Sequence, residues 1–504
     1  MDGKLRIYFT SDIHGHIYPT DYRGEGEQDI GLFKCANQFR KDGNTLILDG
    51  GDLLQGSPLG AFQHDSVGSA QPFAEIMNAC GYDYVTLGNH DFNFGMDYLG
   101  SYLQNLRAKC VCQNLLDADS GKARYPWKLH VLENGLRIGL VGIVTDHVNV
   151  WERPEHLTGC RIVDPFPAVK AALDEMKGQV DLTVCIYHGG FERDLATDRV
   201  LSTSTENIGC RLCEELDFDL LLTGHQHMHV PGQLCKGTFI VQPVENAREF
   251  HCIDVEIRDG KKSVTSSTMT PGGTCAPELM ERFQPMNRGA QQWLDAVVGH
   301  LARPLIPGDH LDMAAKGSDL AVFFNQVQMD ITGAEISVAS LANEAASLPQ
   351  VVRRRDVLTA YPYTNTLTVL EVPGKLLRQA VERTAEYFAL EEGSLCISEA
   401  FLKPKVEHYN YDYYAGVDYE IDVHRPIGQR VTRLTFRGQP LEDDGLYEVA
   451  LNSYRASGAG GYPGYAECRV LREINLEMSD LILDFFRRCP ETDPQVPGSM
   501  TVKL

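Results

Sequence analysis

The sequence predicts a layered α/β domain followed by a smaller α+β domain, and three observations carry this. From residue 5 to about residue 269, short apolar strand-like runs alternate with helical spacings, the pattern of sheets covered by helices. Residues 136–144, rich in Leu, Ile and Val, read as a strand covered on both faces. Beyond residue 305 the texture changes to mixed strands, one strongly amphipathic helix over 374–388, and the glycine-rich run Ser457-Gly458-Ala459-Gly460-Gly461.

Taken in order, residues 5–9, 45–48, 84–87, 182–186 and 220–222 are buried-strand candidates. Residues 71–79, closing on Gly81, read as a helix with a glycine stop, and 167–177 as a helix with proline in its first turn. Residues 206–216 have helical spacing and carry Cys210-x-x-Cys213, which lacks the second pair a zinc finger requires. Cys110-Val111-Cys112 alternates like a strand. Residues 270–277 form a Pro/Gly/Thr-rich loop, and helical spacing over 278–301 suggests a connector. The expected organisation is a catalytic domain over 1–275, a linker helix over 276–304 and a C-terminal domain over 305–504.

A chain of 504 residues exceeds one ordinary core, which agrees with two domains. Its 43% hydrophobic and 23% charged residues are those of a globular protein. A formal charge of -23 argues against a duplex nucleic acid or an anionic membrane as a stable partner, because both require a cationic face. It permits a small phosphorylated substrate, since bound cations reverse the local field. The N-terminus, Met1-Asp2-Gly3-Lys4-Leu5-Arg6, shows no secretory leader, and no stretch has the length and apolarity of a membrane span. With 14 scattered cysteines read as free thiols, the expected location is the cytoplasm.

Each of the five strand candidates ends on a residue able to bind metal. The motifs are Asp12-Ile13-His14-Gly15, Gly51-Asp52, Gly88-Asn89-His90-Asp91, His188-Gly189-Gly190 and Gly224-His225-Gln226-His227. In α/β sheets, sites form outside the carboxyl ends of strands. Side chains alternate along a strand, so Asp12 and His14 are expected to point the same way off an extended end, as are His225 and His227. A mixed set of carboxylate, amide and imidazole donors suits two divalent cations, and fits manganese, iron, zinc or cobalt better than calcium or magnesium. Two cations close together suit phosphate ester hydrolysis.

These ordered motifs resemble the calcineurin-like metallophosphoesterases over roughly the first half of the chain. The resemblance implies a four-layer α/β/β/α sandwich holding two cations. It assigns Asp12, His14, Asp52 and His227 to one ion and Asp52, Asn89, His188 and His225 to the other, with Asp52 bridging. It also implies attack on phosphorus by a metal-activated hydroxide, with His90 near the substrate phosphate, stabilising the transition state or protonating the leaving oxygen.

The C-terminal half resembles the second domain of the 5'-nucleotidase group, nearest to bacterial 2',3'-cyclic-nucleotide 2'-phosphodiesterase/3'-nucleotidases. The residues that carry this are the run Tyr363-Thr364-Asn365-Thr366, the run Tyr409-Asn410-Tyr411-Asp412-Tyr413-Tyr414-Ala415-Gly416-Val417-Asp418, and the run Asn452-Ser453-Tyr454-Arg455-Ala456-Ser457-Gly458. The resemblance implies a base held between two aromatic rings, Tyr411 and Tyr454, and a small-molecule nucleotide as substrate. Two positions depart from the 5'-nucleotidase pattern. The aspartate that pairs with the catalytic histidine three residues on is Asn93 here, as in the cyclic phosphodiesterase branch, and the acidic residue of the glycine-rich loop is Gly460. Both departures favour cyclic or 3'-phosphate substrates over a pure 5'-nucleotidase, and the alternative is a broad-specificity 5'-nucleotidase or UDP-sugar hydrolase. A metal- and nucleotide-binding protein without turnover, or a DNA nuclease, fits the motifs and the charge less well.

Overall fold

A computed structural model of the chain describes residues 2–503 apart from 25, 203, 364, 404, 405 and 475, so Thr364 of the first C-terminal motif lies outside the described residues. The chain divides into two compact units, Met1–Gln292 and Trp293–Leu504.

The first unit is built on two six-stranded sheets. One runs, edge to edge, Lys261–Met269, Phe250–Arg258, Gly3–Thr10, Thr45–Asp49, Tyr84–Val85 and Lys109–Cys110. The other runs Val230–Cys235, Thr238–Gln242, Leu220–Thr223, Leu182–His188, Arg137–Val144 and Lys128–Val131. Residue alternation decides how the layers stack. Val184 and Ile186 face the space between the sheets, where they meet Ile7, Phe9, Leu46 and Leu48. Cys185 and Tyr187 face outward onto Val169, Leu173 and Leu212, carried by the helices Pro165–Met176 and Gly209–Glu215. On the first sheet's outer side, the helix Gly95–Leu103 brings Tyr102 beside Asp49 and Cys110. The result is the four-layer α/β/β/α sandwich.

Gly3–Thr10, Thr45–Asp49 and Tyr84–Val85 are adjacent and parallel, as are Leu182–His188 and Leu220–Thr223 in the second sheet. Within each sheet, the strands that precede the candidate ligands therefore end on the same edge.

The second unit centres on a five-stranded sheet, ordered Asp412–Ala415, Ile336–Ser340, Leu446–Asn452, Leu367–Pro373 and Arg469–Ile474. The helices Asp319–Thr332, Gly374–Ala385 and Met478–Arg488 contribute Phe323, Phe324, Leu377, Val381, Phe485 and Phe486 to its core.

The expected linker helix over 276–304 is corrected. The helix is Pro277–Leu294, and Val297–Leu301 is a strand paired with Val351–Arg353 and Glu491–Thr492. The β-branched pair Val297-Val298 suits a strand, and a Cβ at Gly299 would meet the Phe486 ring at 2.2 Å, so close packing in the second unit sets this segment's conformation. The amphipathic helix likewise stops at Ala385, because Phe388–Glu391 turns into a hairpin with Ser394–Ile397. Among the described residues no helix is long and apolar enough to cross a membrane.

Candidate metal centre

The seven proposed ligands come together at the carboxyl ends of the five strands, but not by strand alternation. Asp12, His14, Asp52, His225 and His227 all have left-handed backbone, with φ of 55°, 50°, 57°, 72° and 55°. The expectation that Asp12 with His14, and His225 with His227, share a side of an extended strand is therefore corrected: the strands end at Thr10 and Thr223, and tight loops aim the side chains. A non-glycine residue held in this region costs about 1–3 kcal/mol and persists only where its surroundings over-determine it. Here they do. The Asp12 amide donates to Gly51 O at 2.9 Å, the His14 amide to Asp52 O at 2.8 Å, and the His225 amide to Asp12 Oδ1 at 3.0 Å. Two glycines permit this crossing of loops: a Cβ at Gly51 would lie 2.3 Å from Gly88 N, and one at Gly224 would lie 2.3 Å from Ser11 Oγ.

The donor atoms form one cluster. Asp12 Oδ1 lies 4.0 Å from His14 Nε2, 3.4 Å from His227 Nε2 and 4.0 Å from His188 Nε2. Asp52 Oδ2 lies 3.1 Å from His188 Nε2 and 4.0 Å from His14 Nε2. Asn89 Oδ1 lies 3.2 Å from His188 Nε2 and 2.9 Å from His225 Nδ1. Asp12, His14 and His227 make one group able to hold a cation, and Asp12, Asp52 and His188 another. Asp12 is shared by the two groups and Asp52 belongs to the second, its Oδ2 lying 4.0 Å from His14 of the first, whereas the resemblance gives the bridging place to Asp52.

Second contacts decide which ring nitrogens face inward. His14 Nδ1 donates to Gln55 O at 2.8 Å and His188 Nδ1 to Gly50 O at 2.7 Å, so each presents Nε2 to the cluster. His225 is reversed: its Nε2 donates to Glu206 Oε1 at 2.9 Å and its Nδ1 faces Asn89. Two buried carboxylates, an amide oxygen and four imidazole nitrogens converge, and no Lys or Arg of the described residues pairs with either carboxylate. Burial pushes His14 down to about 4, so that ring is neutral. Burial acts the same way on His188, but Asp52 and Asp12 outweigh it and raise that group to about 10. In the absence of a metal, a proton offsets the carboxylates. A divalent cation meets the same donors with more charge, and binding it displaces that proton. The donor set therefore fits divalent metal.

His90 sits on the rim of this cluster. Its amide donates to Asp52 Oδ1 at 2.7 Å, its ring centroid is 5.3 Å from that of His14, and its Nδ1 faces Asn93 Oδ1 at 2.7 Å. The neighbouring Asp91 turns away from the His90 ring to accept from the amides of Gly88, Asp52, Leu53 and Leu54. Sequence reasoning did not find Glu206, which is remote in sequence from His225 and has no motif of its own, nor Glu152, whose Oε1 accepts from Asn93 Nδ2.

In the second unit, Tyr454 is 37% exposed and its ring lies 6.1 Å from that of Tyr409, edge to face. Tyr411, expected to stack on a base, is corrected. It is 2% exposed, its hydroxyl donates to Ala314 O at 2.8 Å, and Tyr387, Tyr413 and Phe388 cover its ring. No face is left for a ligand, and Tyr409 is the ring beside Tyr454. Arg455, buried and paired with Asp412 at 2.9 Å, also donates to Tyr409 O and Ala459 O, and so ties both rings to the glycine-rich loop. At Gly460, where φ is 72°, a Cβ would lie 2.2 Å from Asn410 Oδ1 and from Arg455 Nη1, so an acidic side chain there would require both of those groups to shift.

Comparison with known proteins agrees with this architecture. The calcineurin-like phosphoesterase family matches residues 5–229, and the 5'-nucleotidase C-terminal domain matches residues 297–467. The trifunctional nucleotide phosphoesterase protein YfkN of Bacillus subtilis is 24% identical over 99% of this chain, which spans 39% of that protein's length. The 2',3'-cyclic-nucleotide 2'-phosphodiesterase/3'-nucleotidase of Yersinia enterocolitica is 25% identical, over 92% of this chain and 82% of its own length. A Staphylococcus aureus protein assigned to the 5'-nucleotidases, solved with alpha-ketoglutarate, is 30% identical and superposes with a TM-score of 0.76 over 100% of both chains.

Fold and site together define a metal-dependent phosphoric ester hydrolase. More narrowly, the chain belongs to the 5'-nucleotidase family, in which a calcineurin-like phosphoesterase domain precedes a 5'-nucleotidase C-terminal domain. Calcineurin-like phosphoesterases use two divalent metals, and the Asp and His groups here are of the kind that hold them.

Proposed function

We propose that this chain hydrolyses nucleotide phosphoesters, with 2',3'-cyclic nucleotides and nucleoside monophosphates as substrates. On this reading Asp12, His14, Asp52, Asn89, His188, His225 and His227 hold two cations drawn from manganese, zinc, iron and cobalt. The observation that carries it is the inward turn of four imidazole nitrogens onto two buried carboxylates and an amide, with carbonyl or carboxylate partners behind the rings of His14, His188 and His225.

Bound there, two divalent cations supply Lewis acidity and a lowered pKa for attacking water. The protein's own part is orientation. Ser11 Oγ at 2.5 Å and the His225 amide fix Asp12, and the His90 amide fixes Asp52. With Nδ1 taken by Asn93, His90 has Nε2 left to meet a phosphoryl or leaving oxygen. Tyr409 and Tyr454 offer stacking surface to a base, worth about 1–3 kcal/mol per ring. The name of the Yersinia relative, and asparagine in place of aspartate at position 93, favour the cyclic diester within this substrate class.

The test is hydrolysis by purified protein with manganese of 2',3'-cyclic AMP, 3'-AMP, 5'-AMP and a UDP-sugar. The cyclic diester should be turned over with the highest kcat/KM. Turnover of 5'-AMP or the UDP-sugar with none of the cyclic diester removes the assignment.

A further inference from the structure

We infer that Glu152 is a positioning residue for His90, acting through the side-chain amide of Asn93; the inference rests on the reading of His90 as a group that meets the phosphate. A hydrogen-bonded chain of four side chains runs outward from the metal cluster. His90 Nδ1 faces Asn93 Oδ1 at 2.7 Å, Asn93 Nδ2 donates to Glu152 Oε1, and Glu152 Oε2 meets His156 Nδ1 at 2.7 Å. Glu152 comes from the loop after the strand Arg137–Val144, directly behind the short helix Val148–Trp151. Its side chain is 6% exposed, so the interaction is shielded from water.

The chemistry of the amide makes this contact decisive. An asparagine can turn either its oxygen or its nitrogen toward a neighbour, and the two orientations have nearly the same shape. With its oxygen toward His90, the ring must carry its proton on Nδ1 and keeps Nε2 for the site. With its nitrogen toward His90, the ring must present a lone pair at Nδ1, and the tautomer is reversed. An ionised glutamate only accepts. Glu152 therefore takes the Asn93 N–H and leaves Oδ1 as the only group that can face His90.

The same logic accounts for the departure at position 93. In the 5'-nucleotidase pattern that place is an aspartate, which offers an oxygen whichever way it turns and needs no holder. Here the carboxylate stands one residue further out. A carboxylate at 93 would abut Glu152, with two acceptors and no proton between them. An aspartate at 93 and an ionised glutamate at 152 thus exclude each other, and each of the two arrangements presents one oxygen to the histidine.

The test is a double-mutant cycle on the full-length, zinc-loaded protein, read by steady-state kinetics and by 15N imidazole spectra, with the His90 signals assigned by loss in His90→Gln. Glu152→Ala and Asn93→Asp should each lower kcat by roughly tenfold to a hundredfold with little change in KM, since proton-transfer groups contribute on this scale. Combining them should restore kcat to within about threefold of the parent, a coupling of opposite sign to the single effects. In the spectra, the parent should show the Nδ1–H tautomer of His90, Glu152→Ala should populate the Nε2–H tautomer, and the double variant should return to Nδ1–H. An unchanged tautomer in Glu152→Ala, or a double variant as slow as the product of the two singles, overturns the inference. If the parent turns over no nucleotide yet shows this tautomer response, the substrate reading falls and the role of Glu152 stands.

Discussion

Glu206 Oε1 accepts the Nε2 proton of His225 at 2.9 Å, and that contact turns the other nitrogen of the ring onto Asn89 Oδ1. A carboxylate takes the outward nitrogen of His225, whereas main-chain carbonyls take the outward nitrogens of His14 and His188. Replacing Glu206 by leucine should weaken one of two bound cations by about 10–100-fold, the usual cost of losing such a support. The other cation should keep its affinity. Stepwise removal with a graded chelator, followed by elemental analysis, separates the two. Loss of neither ion, or of both together, counts against this role for Glu206.

Much of the centre was legible because each ligand motif directly follows an apolar strand, and parallel neighbours must end on the same edge. What periodicity could not supply is the local conformation. The alternation rule paired Asp12 with His14 correctly in space, but through left-handed loops that it does not describe. The assignment of Tyr411 rests on the resemblance, and a motif match does not say which ring of an aromatic run the packing covers. Tyr409 sits in the turn His408–Asn410, outside the strand Asp412–Ala415, where no alternation applies. Glu206 and Glu152 were invisible for a different reason: each contact closes over a fold-determined distance, and only the packed loops bring the partners together.

The correction at the aromatic pair is measurable. Tyr454→Ala and Tyr409→Ala should each raise KM for nucleotides roughly tenfold, from a lost stacking energy of about 1–3 kcal/mol. Hydrolysis of p-nitrophenyl phosphate, which has no base, should change little. Tyr411→Phe should leave KM alone and cost about 1 kcal/mol of stability through the lost bond to Ala314 O. A larger KM effect from Tyr411→Phe than from Tyr454→Ala would reverse the assignment.

Asp91 holds the loop that carries Asp52. Its two oxygens accept from Leu53 N at 3.0 Å, Leu54 N at 3.1 Å, Asp52 N at 3.0 Å and Gly88 N at 2.9 Å, in a fully buried place. Asp91→Ala would orphan these amides, at about 1–3 kcal/mol for each that water cannot reach. We expect a loss of about 3 kcal/mol or more in denaturant unfolding, together with loss of bound metal. Unchanged stability with normal metal content would show that the loop holds itself.

Asp49 should make stability fall as pH rises. Burial pushes this carboxyl from 3.8 up to about 8, against the opposing pull of the Thr10 hydroxyl at 2.7 Å and the Gly51 amide at 3.1 Å. Between those two values the folded state keeps a proton that the unfolded chain has released. Stability therefore decreases with pH across the interval: the contribution is whole below the lower value and gone once pH passes the upper one. Asp49→Asn keeps an oxygen for the Gly51 amide and can donate to Thr10 Oγ, so it mimics the protonated form at every pH. Melting temperatures at pH 5 and pH 8.5 should show a smaller drop for the variant than for the parent, with the gap opening toward alkaline pH. Parallel drops in the two proteins would mean that Asp49 is ionised in the folded state throughout, its charge carried by the Thr10 and Gly51 donors.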